Sequence, residues 1–375
     1  MTLSWTKTLE NLSHLLTSPG RGVFAIHAGK TYRQFVEQTY YQTQEDERIK
    51  HFFLNSLKNI PLETKPLLLG ICSDTGAGIV KGSNWGPLFI RQWLLQHYPE
   101  TPYFDLGDIF CNPHLLDDSL LNEETKKSCH KSMYPLADPS LELPVSPLSQ
   151  AYFVVNSLLK LFPQKKIFAL GGDHSISYPI VKAYLENKKK QNKKVAIIHF
   201  DAHTDLLSSR LGISHCFGSW AYHILPFLDS PDLLIQLGIR SSQYNKTHWE
   251  TTLGVSQFWA FECENNIAEV KKSLLSLLEK REIEELYISF DIDALDAQYA
   301  SATGTPEKEG LSPYVALDIL HFLQDRFLIT GADLVEVAPF SNPLGYPMAQ
   351  ETTLALAASL SSFLIGSLFV QHPQK

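Results

Sequence analysis

The chain has 375 residues, 44% of them hydrophobic and 19% charged, and a formal net charge of -8. That balance supplies a large core, argues against general disorder and leaves no basic footprint for nucleic acid. Five cysteines without C-x-x-C spacing, no run of about 18 uninterrupted apolar residues and no basic-then-apolar start over 1–20 point to a cytoplasmic protein with reduced thiols and no membrane span.

Residues 1–65 show apolar residues at helical spacing over Trp5–Leu16 and Thr31–Lys58. They read as a helical N-terminal extension packed on the rest, adding a layer or mediating assembly. From Pro66 strand and helix patterns alternate, so residues 66–375 read as one α/β domain with a parallel sheet and right-handed crossovers. Strands are expected at Leu68–Cys72, Tyr103–Leu106, Ile167–Leu170, Val195–Phe200, Leu233–Leu237, Ser256–Ala260, Glu285–Phe290 and Gly331–Val335. Helices are expected at Gly86–His97, Ser149–Leu161, Ser177–Glu186, Glu264–Lys280, Ser312–Gln324 and Gln350–Phe369. Cys111–Ser146 is long, polar and Pro-containing, either a plain surface loop or an insertion near the strand ends that shapes access to a site. Lys188–Lys194, with five Lys in seven residues, reads as a solvated connection. Ala355–Val370 is apolar but carries Ser and Gly, and reads as a buried packing helix.

Three of the apolar runs lead directly into metal-ligand types. His174 stands in Gly-Gly-Asp-His-Ser, Asp201, His203 and Asp205 in Asp-Ala-His-Thr-Asp, and Asp291 and Asp293 in Ser-Phe-Asp-Ile-Asp-Ala-Leu-Asp. Strand alternation would turn Asp201, His203 and Asp205 to one face, and Asp291 with Asp293 likewise. Open α/β sheets bind ligands beyond the carboxyl ends of their strands, where all six residues fall. Carboxylate and imidazole donors suit Mn, Zn, Fe or Ni. Four Asp carboxylates balance two divalent ions and leave room for one hydroxide, the product when two metals acidify a shared water. Asp173 and Asp296, flanking these residues, read as acceptors that orient a His ring or cap a helix.

Together these segments resemble the ureohydrolase family of arginase, agmatinase, guanidinobutyrase and formimidoylglutamase. The resemblance covers about residues 66–375 and extends to Gly86-Pro87 with Ile90-Arg91, Gly238-Ile239-Arg240, Thr303-Gly304-Thr305-Pro306 and Glu336-Val337-Ala338-Pro339. It implies an arginase-like three-layer α/β/α fold with a mostly parallel eight-stranded sheet, and a homo-oligomer, trimer or hexamer. It also implies two divalent ions per chain, Mn2+ before Ni2+ or Zn2+. By the family pattern His174, Asp201, Asp205 and Asp291 hold one ion, and Asp201, His203, Asp291 and Asp293 the other, with Asp201 and Asp291 bridging.

The implied reaction is attack of the bridging hydroxide on a guanidino or formimino carbon, releasing urea or formamide and an amine. Asp293 would carry the nucleophile's proton to the leaving amine, and Glu336 would pair with the substrate guanidinium. His215, fourteen residues after Asp201, matches the proton shuttle of agmatinase-like members, although Cys216 and Phe217 depart from their pattern. A substrate-positioning or structural role for His215 stays open, and His199 and His223 read as structural. The loop from Asp205 to His215 lacks the Asn-rich pattern that arginase uses on its substrate's α-amino and α-carboxylate groups. Its Arg210 is either a solvated loop residue or the partner of a carboxylate, as in a guanidino acid or formimidoylglutamate. An agmatinase-like or guanidino-acid hydrolase is therefore preferred over arginase, with formimidoylglutamase as the alternative. A one-zinc deacetylase of the same fold, a two-metal phosphatase and a catalytically inactive scaffold are the more distant readings.

Overall fold

The computed structural model describes residues 2–23, 29–138 and 140–370. Residues 1, 24–28, 139 and 371–375, which belong to the expected extension, the 111–146 segment and the C-terminal end, lie outside the described residues. The first part of the chain runs α1 (Thr2–Leu15), β1 (Leu16–Thr17), α2 (Lys30–Tyr41), α3 (Asp46–Leu57), β2 (Leu67–Ile71), α4 (Gly86–His97) and β3 (Phe104–Ile109). It continues α5 (Glu123–Met133), α6 (Pro147–Leu161), β4 (Ile167–Gly171), α7 (Ser177–Lys190), β5 (Val195–Phe200), α8 (Trp220–Ile224), β6 (Leu234–Ile239) and α9 (Lys246–Thr252). The rest comprises β7 (Ser256–Trp259), α10 (Ala260–Asn265), α11 (Ile267–Lys280), β8 (Glu285–Asp291), α12 (Pro313–Gln324), β9 (Leu328–Val335) and α13 (Ala349–Phe369).

All eight expected strands form, and a ninth joins them. The order is β1-β3-β2-β4-β9-β8-β5-β6-β7, parallel throughout except for β1, which pairs antiparallel with β3 at Leu16 and Ile109. A two-residue strand has no periodicity to read, which is why Leu16–Thr17 gives no sequence signal. The strands alternate between two cores. Leu68, Phe168, Leu170, Ile198 and Phe200 pack under α4 and α11–α13. Leu67, Leu69, Ala169, Ile197 and Tyr287 pack under α1 and α6–α8. The result is a three-layer α/β/α sandwich, with both sheet faces covered as parallel sheets require.

Several expected elements divide or extend. Thr31–Lys58 is two helices, because Gln42 ends α2 in the left-handed region at φ 53°. Glu264–Lys280 breaks at Asn266, whose φ of -136° and ψ of 38° interrupt the helical path. Residues 111–146 are not a plain loop: they hold α5, and Leu115, Tyr134, Leu143 and Val145 are buried in the second core. The lysine run is solvated only in part, since α7 continues to Lys190 and Lys188 is buried 2.5 Å from Glu285. Helix α13 is long and apolar enough to cross a membrane, yet it packs on α4 and β9 with Leu354, Ala358 and Leu364 buried.

A buried ion cluster ties the N-terminal segment to the sheet. Arg91 of α4 lies 2.9 Å from Asp105 and 2.5 Å from Asp108, both on β3, and is fully buried. Gly20 N and Gly22 N donate to Asp108 Oδ2 at 2.8 and 3.1 Å, and the Tyr40 hydroxyl donates to Asp105 Oδ2 at 2.9 Å. Removing the cation leaves two carboxylates without their partner in a site closed to water. Arg91→Met is therefore expected to cost about 3–5 kcal/mol, read from the urea midpoint at fixed metal concentration. A midpoint equal to the parent's would show that the cluster contributes nothing.

Candidate metal centre

The strand order brings distant segments side by side. β4, β9, β8 and β5 are consecutive neighbours, although the chain visits them as β4, β5, β8, β9. Their register levels the carboxyl ends: Phe200 pairs with Phe290, Asp291 with Val335, and Leu170 with Leu334. Asp201, Asp291, Glu336 and the Gly171–His174 turn thus meet at one edge, the location expected for a ligand in an open α/β sheet. The turn after β4 is pressed onto the loop after β2. Asp173 N donates to Ser73 O at 2.9 Å, and a Cβ on Gly172 would overlap that same carbonyl.

All six expected residues converge. His174 Nδ1 lies 3.1 Å from Asp201 Oδ2, 3.2 Å from Asp205 Oδ2 and 3.1 Å from Asp291 Oδ2. His203 Nδ1 lies 3.4 Å from Asp201 Oδ1 and 3.2 Å from Asp293 Oδ2. Asp201 faces both imidazoles, one with each oxygen. The convergence does not come from strand alternation, however. β5 stops at Phe200, and residues 201–205 are loop, shaped by His203 N donating to Asp201 Oδ1 at 2.6 Å and by a left-handed Asp205 at φ 52°. After β8 the chain makes one 3-10 turn, in which Asp291 Oδ1 accepts from Asp293 N at 2.8 Å.

The donors fit a cation. Ser289 Oγ donates to Asp333 Oδ1 at 2.8 Å, so it accepts from His174 Nε2 at 3.0 Å. The neutral His174 ring then presents a lone pair at Nδ1, a buried atom without a hydrogen-bond partner, to three carboxylate oxygens. Only a positive charge satisfies lone pairs facing one another in a buried site. Burial would lower the His174 pKa, but Asp201, Asp205 and Asp291 outweigh it and hold it well above the usual imidazole value. Burial and neighbouring carboxylates push Asp205 and Asp291 upward, while three imidazoles overcome burial and pull Asp201 well below its usual range. A divalent ion among these groups would replace the proton that the cluster otherwise attracts.

Around this cluster, Glu336 is buried at φ 63°, with Oε1 accepting from His174 N at 2.9 Å. Burial first, then the Asp173 carboxylate, raises its pKa well above the usual range. A buried carboxyl held in a left-handed conformation, at a cost of order 1–3 kcal/mol, belongs with functional strain. Asp293 Oδ1 accepts from Ala202 N at 3.1 Å and Oδ2 from Thr305 Oγ1 at 3.2 Å. Asp173 caps the turn at Ser175 and holds Gly76 N, and Asp296 accepts from Gln298 N and Gly310 N, so both work on backbone and not on a His ring.

His215 meets a different group. Its Nδ1 lies 3.3 Å from Asp117 Oδ2, and its ring stacks on Tyr178 at 4.3 Å and crosses His223 at 4.9 Å. Burial would raise the Asp117 pKa, but hydrogen bonds from His215 and Ser119 hold it down at about 2. Arg210 lies over the Phe217 ring at 4.9 Å, beside a cavity of ≈ 330 Å³ also lined by Thr75, Leu116 and Ile213. His223 stays structural, its Nε2 bonded to Ser208 O at 3.0 Å. His199 does not: it is fully buried, with Nε2 2.8 Å from Asp201 Oδ2. A polar residue inside the apolar run Val195–Phe200, two positions before Asp201, was the available signal.

The family model described as Arginase matches residues 65–366. The mitochondrial guanidino acid hydrolase of Homo sapiens is 30% identical over 337 residues, covering 81% of this chain and 80% of the human protein. The agmatinase of Bacillus anthracis is 29% identical over 320 residues, covering 81% of this chain and 92% of its own length. Among solved structures, formimidoylglutamase from Bacillus subtilis superposes with a TM-score of 0.63 at 21% identity, over 82% of this chain and 88% of that one. At that identity the likeness concerns the fold.

Because Asp201 alone faces both imidazoles, its substitution should disturb the whole centre. Asp201→Asn is expected to retain less than half the divalent metal of the parent after dialysis, by elemental analysis. Undiminished metal would place the ions elsewhere.

Proposed function

The chain belongs to the arginase family and is a hydrolase acting on carbon–nitrogen bonds, and we propose that it cleaves a small guanidino acid at a centre of two Mn2+ ions. Members of this family depend on a binuclear metal centre. The observation that carries the reading is the aim of His174 Nδ1 at three carboxylates while Asp201 reaches on to His203. His174, Asp205, Asp201 and Asp291 would hold one ion, and His203, Asp293, Asp201 and Asp291 the other. When bound, the ions supply a hydroxide at neutral pH and polarise the carbon it attacks.

The remaining work falls to the chain's own side chains. Glu336, buried beside the centre, offers a carboxylate to the substrate guanidinium, whose positive charge offsets the burial that raises the Glu336 pKa. Asp293, held by Ala202 N and Thr305 Oγ1, takes the nucleophile's proton and returns it to the departing amine. One water and one guanidinium thus give urea and a protonated amine. His215, partly exposed and steadied by Asp117, relays the water's other proton between solvent and the site: it is released when the hydroxide forms and supplied again to protonate the freed amine. The 111–146 segment, which contains Asp117, thereby reaches the proton path.

The substrate's far end is read from Arg210. The Arg210 guanidinium packs over the Phe217 ring, and its cavity walls are largely apolar. A carboxylate on a short alkyl chain fits such a place, whereas the ammonium of agmatine would be repelled. The name of the human relative, guanidino acid hydrolase, supports the same choice; the agmatinase relatives make agmatine the second reading.

Urea release should be measured with Mn2+ across guanidino acids, agmatine and arginine. A guanidino acid is expected to give the highest kcat/KM, and Arg210→Ala to raise its KM roughly tenfold or more while changing agmatine less. Agmatine as best substrate, with Arg210→Ala neutral throughout, would remove Arg210 from substrate recognition. For the proton path, His215→Asn should lower kcat with metal content unchanged, and imidazole in the buffer should partly restore it. An unchanged kcat would return His215 to a structural role.

A further inference from the structure

One level below the metal cluster, a row of polar side chains crosses the sheet. The register pairs Gln257 with Gln236, Gln236 with His199, His199 with Ser289, and Ser289 with Asp333. Five neighbouring strands, β7-β6-β5-β8-β9, therefore each present one polar side chain at the same height. Gln257 is 1% exposed and the other four 0%. Their neighbours along the strands, among them Ile198, Phe200, Leu237, Ile288 and Leu334, are apolar core. Five buried polar groups in such a sheet are costly unless fully bonded.

The bonds on the β5 side all run one way. Trp259 Nε1 can only donate, and it donates to Gln257 Oε1 at 3.0 Å. The Gln257 amide nitrogen must then face Gln236 Oε1, at 2.8 Å. That bond turns the Gln236 amide nitrogen toward Thr204 O at 2.6 Å and His199 Nδ1 at 2.9 Å. His199 Nδ1 therefore accepts, and the ring's proton sits on Nε2, directed at Asp201 Oδ2 at 2.8 Å. A lone pair on Nε2 would instead have made His199 one more metal donor beside His174, Asp201 and Asp205.

We propose that the Trp259–Gln257–Gln236–His199 chain is a positioning relay that fixes His199 as an N–H donor to Asp201 and keeps it from binding metal. With Oδ2 held by His199 and Oδ1 by His203 N, the Asp201 carboxylate is fixed between the two imidazoles. On the other half of the row, Ser289 and Asp333 orient His174 in the same manner. The inference rests on the reading that Asp201 holds metal. It adds that residues two strands away set how tightly it does so.

The test titrates the dialysed full-length chain with Mn2+, following stoichiometry and affinity by calorimetry, and melting temperature in parallel. The parent should bind two ions; fewer would overturn the metal reading itself, separately from the relay. His199→Leu, of similar volume but without the N–H, should weaken Mn2+ binding about 10- to 100-fold, beyond the modest fall in the metal-free protein's melting temperature expected from the Gln236 amide losing its acceptor. His199→Gln, whose amide nitrogen reaches the same place, should stay within a few-fold of the parent. Parent-like affinity in His199→Leu, or a glutamine variant as weak as the leucine one, would overturn the relay. Should His199→Leu fail to fold, Trp259→Phe decides at the half-buried end of the chain: weaker Mn2+ binding supports the relay, and unchanged binding overturns it.

Discussion

Four aspartate carboxylates, at positions 201, 205, 291 and 293, are buried within a few ångströms of two imidazoles at the carboxyl edge of the sheet. Like charges this close cannot all persist in a site shielded from water unless cations join them. The effect shows in the carboxyls themselves: Asp205 and Asp291 are driven up, and Asp201 is driven down by the three imidazoles around it. Much of the nearby architecture makes sense as the means of holding this concentration of charge. Ser289 with Asp333 settles the His174 ring, and backbone amides of Ala202, His203 and Asp293 fix the carboxylates.

The sheet order is what allows it. Because β9 and β8 return to lie between β4 and β5, segments as far apart as Ile167 and Gly331, or Val195 and Glu285, become neighbours at the same height. The covered faces then exclude water from below, since α8 places Trp220 against both His174 and His199. Left-handed backbone at Asp205 and Glu336 turns the carboxyls of both toward the same edge. Strain of that kind persists only where surrounding packing over-determines it.

Much of this is legible in the residues alone. Each of the six clustered side chains follows an apolar run, so strand, edge and donor type can be read together. The reason offered by strand alternation was nevertheless the wrong one, because a loop and a 3-10 turn do the converging after β5 and β8. What stays hidden depends on partners remote in sequence. His199 reads as a core histidine until the register sets it beside Gln236, and Lys188 reads as solvated until Glu285 is found against it. Likewise Asp117 gives no sign that it faces His215, 98 residues away. Short elements such as β1 and α8 lack the length for periodicity to show.

We propose that two ions sit astride Asp201. Crystals grown with Mn2+ and measured on both sides of the manganese absorption edge test it most directly. Two anomalous peaks per chain are expected at the roughly 3.5–4 Å spacing of two-metal sites, one beside His174 Nδ1 and the other beside His203 Nδ1. A single peak, or peaks away from Asp201, would rule out two ions shared through that carboxylate.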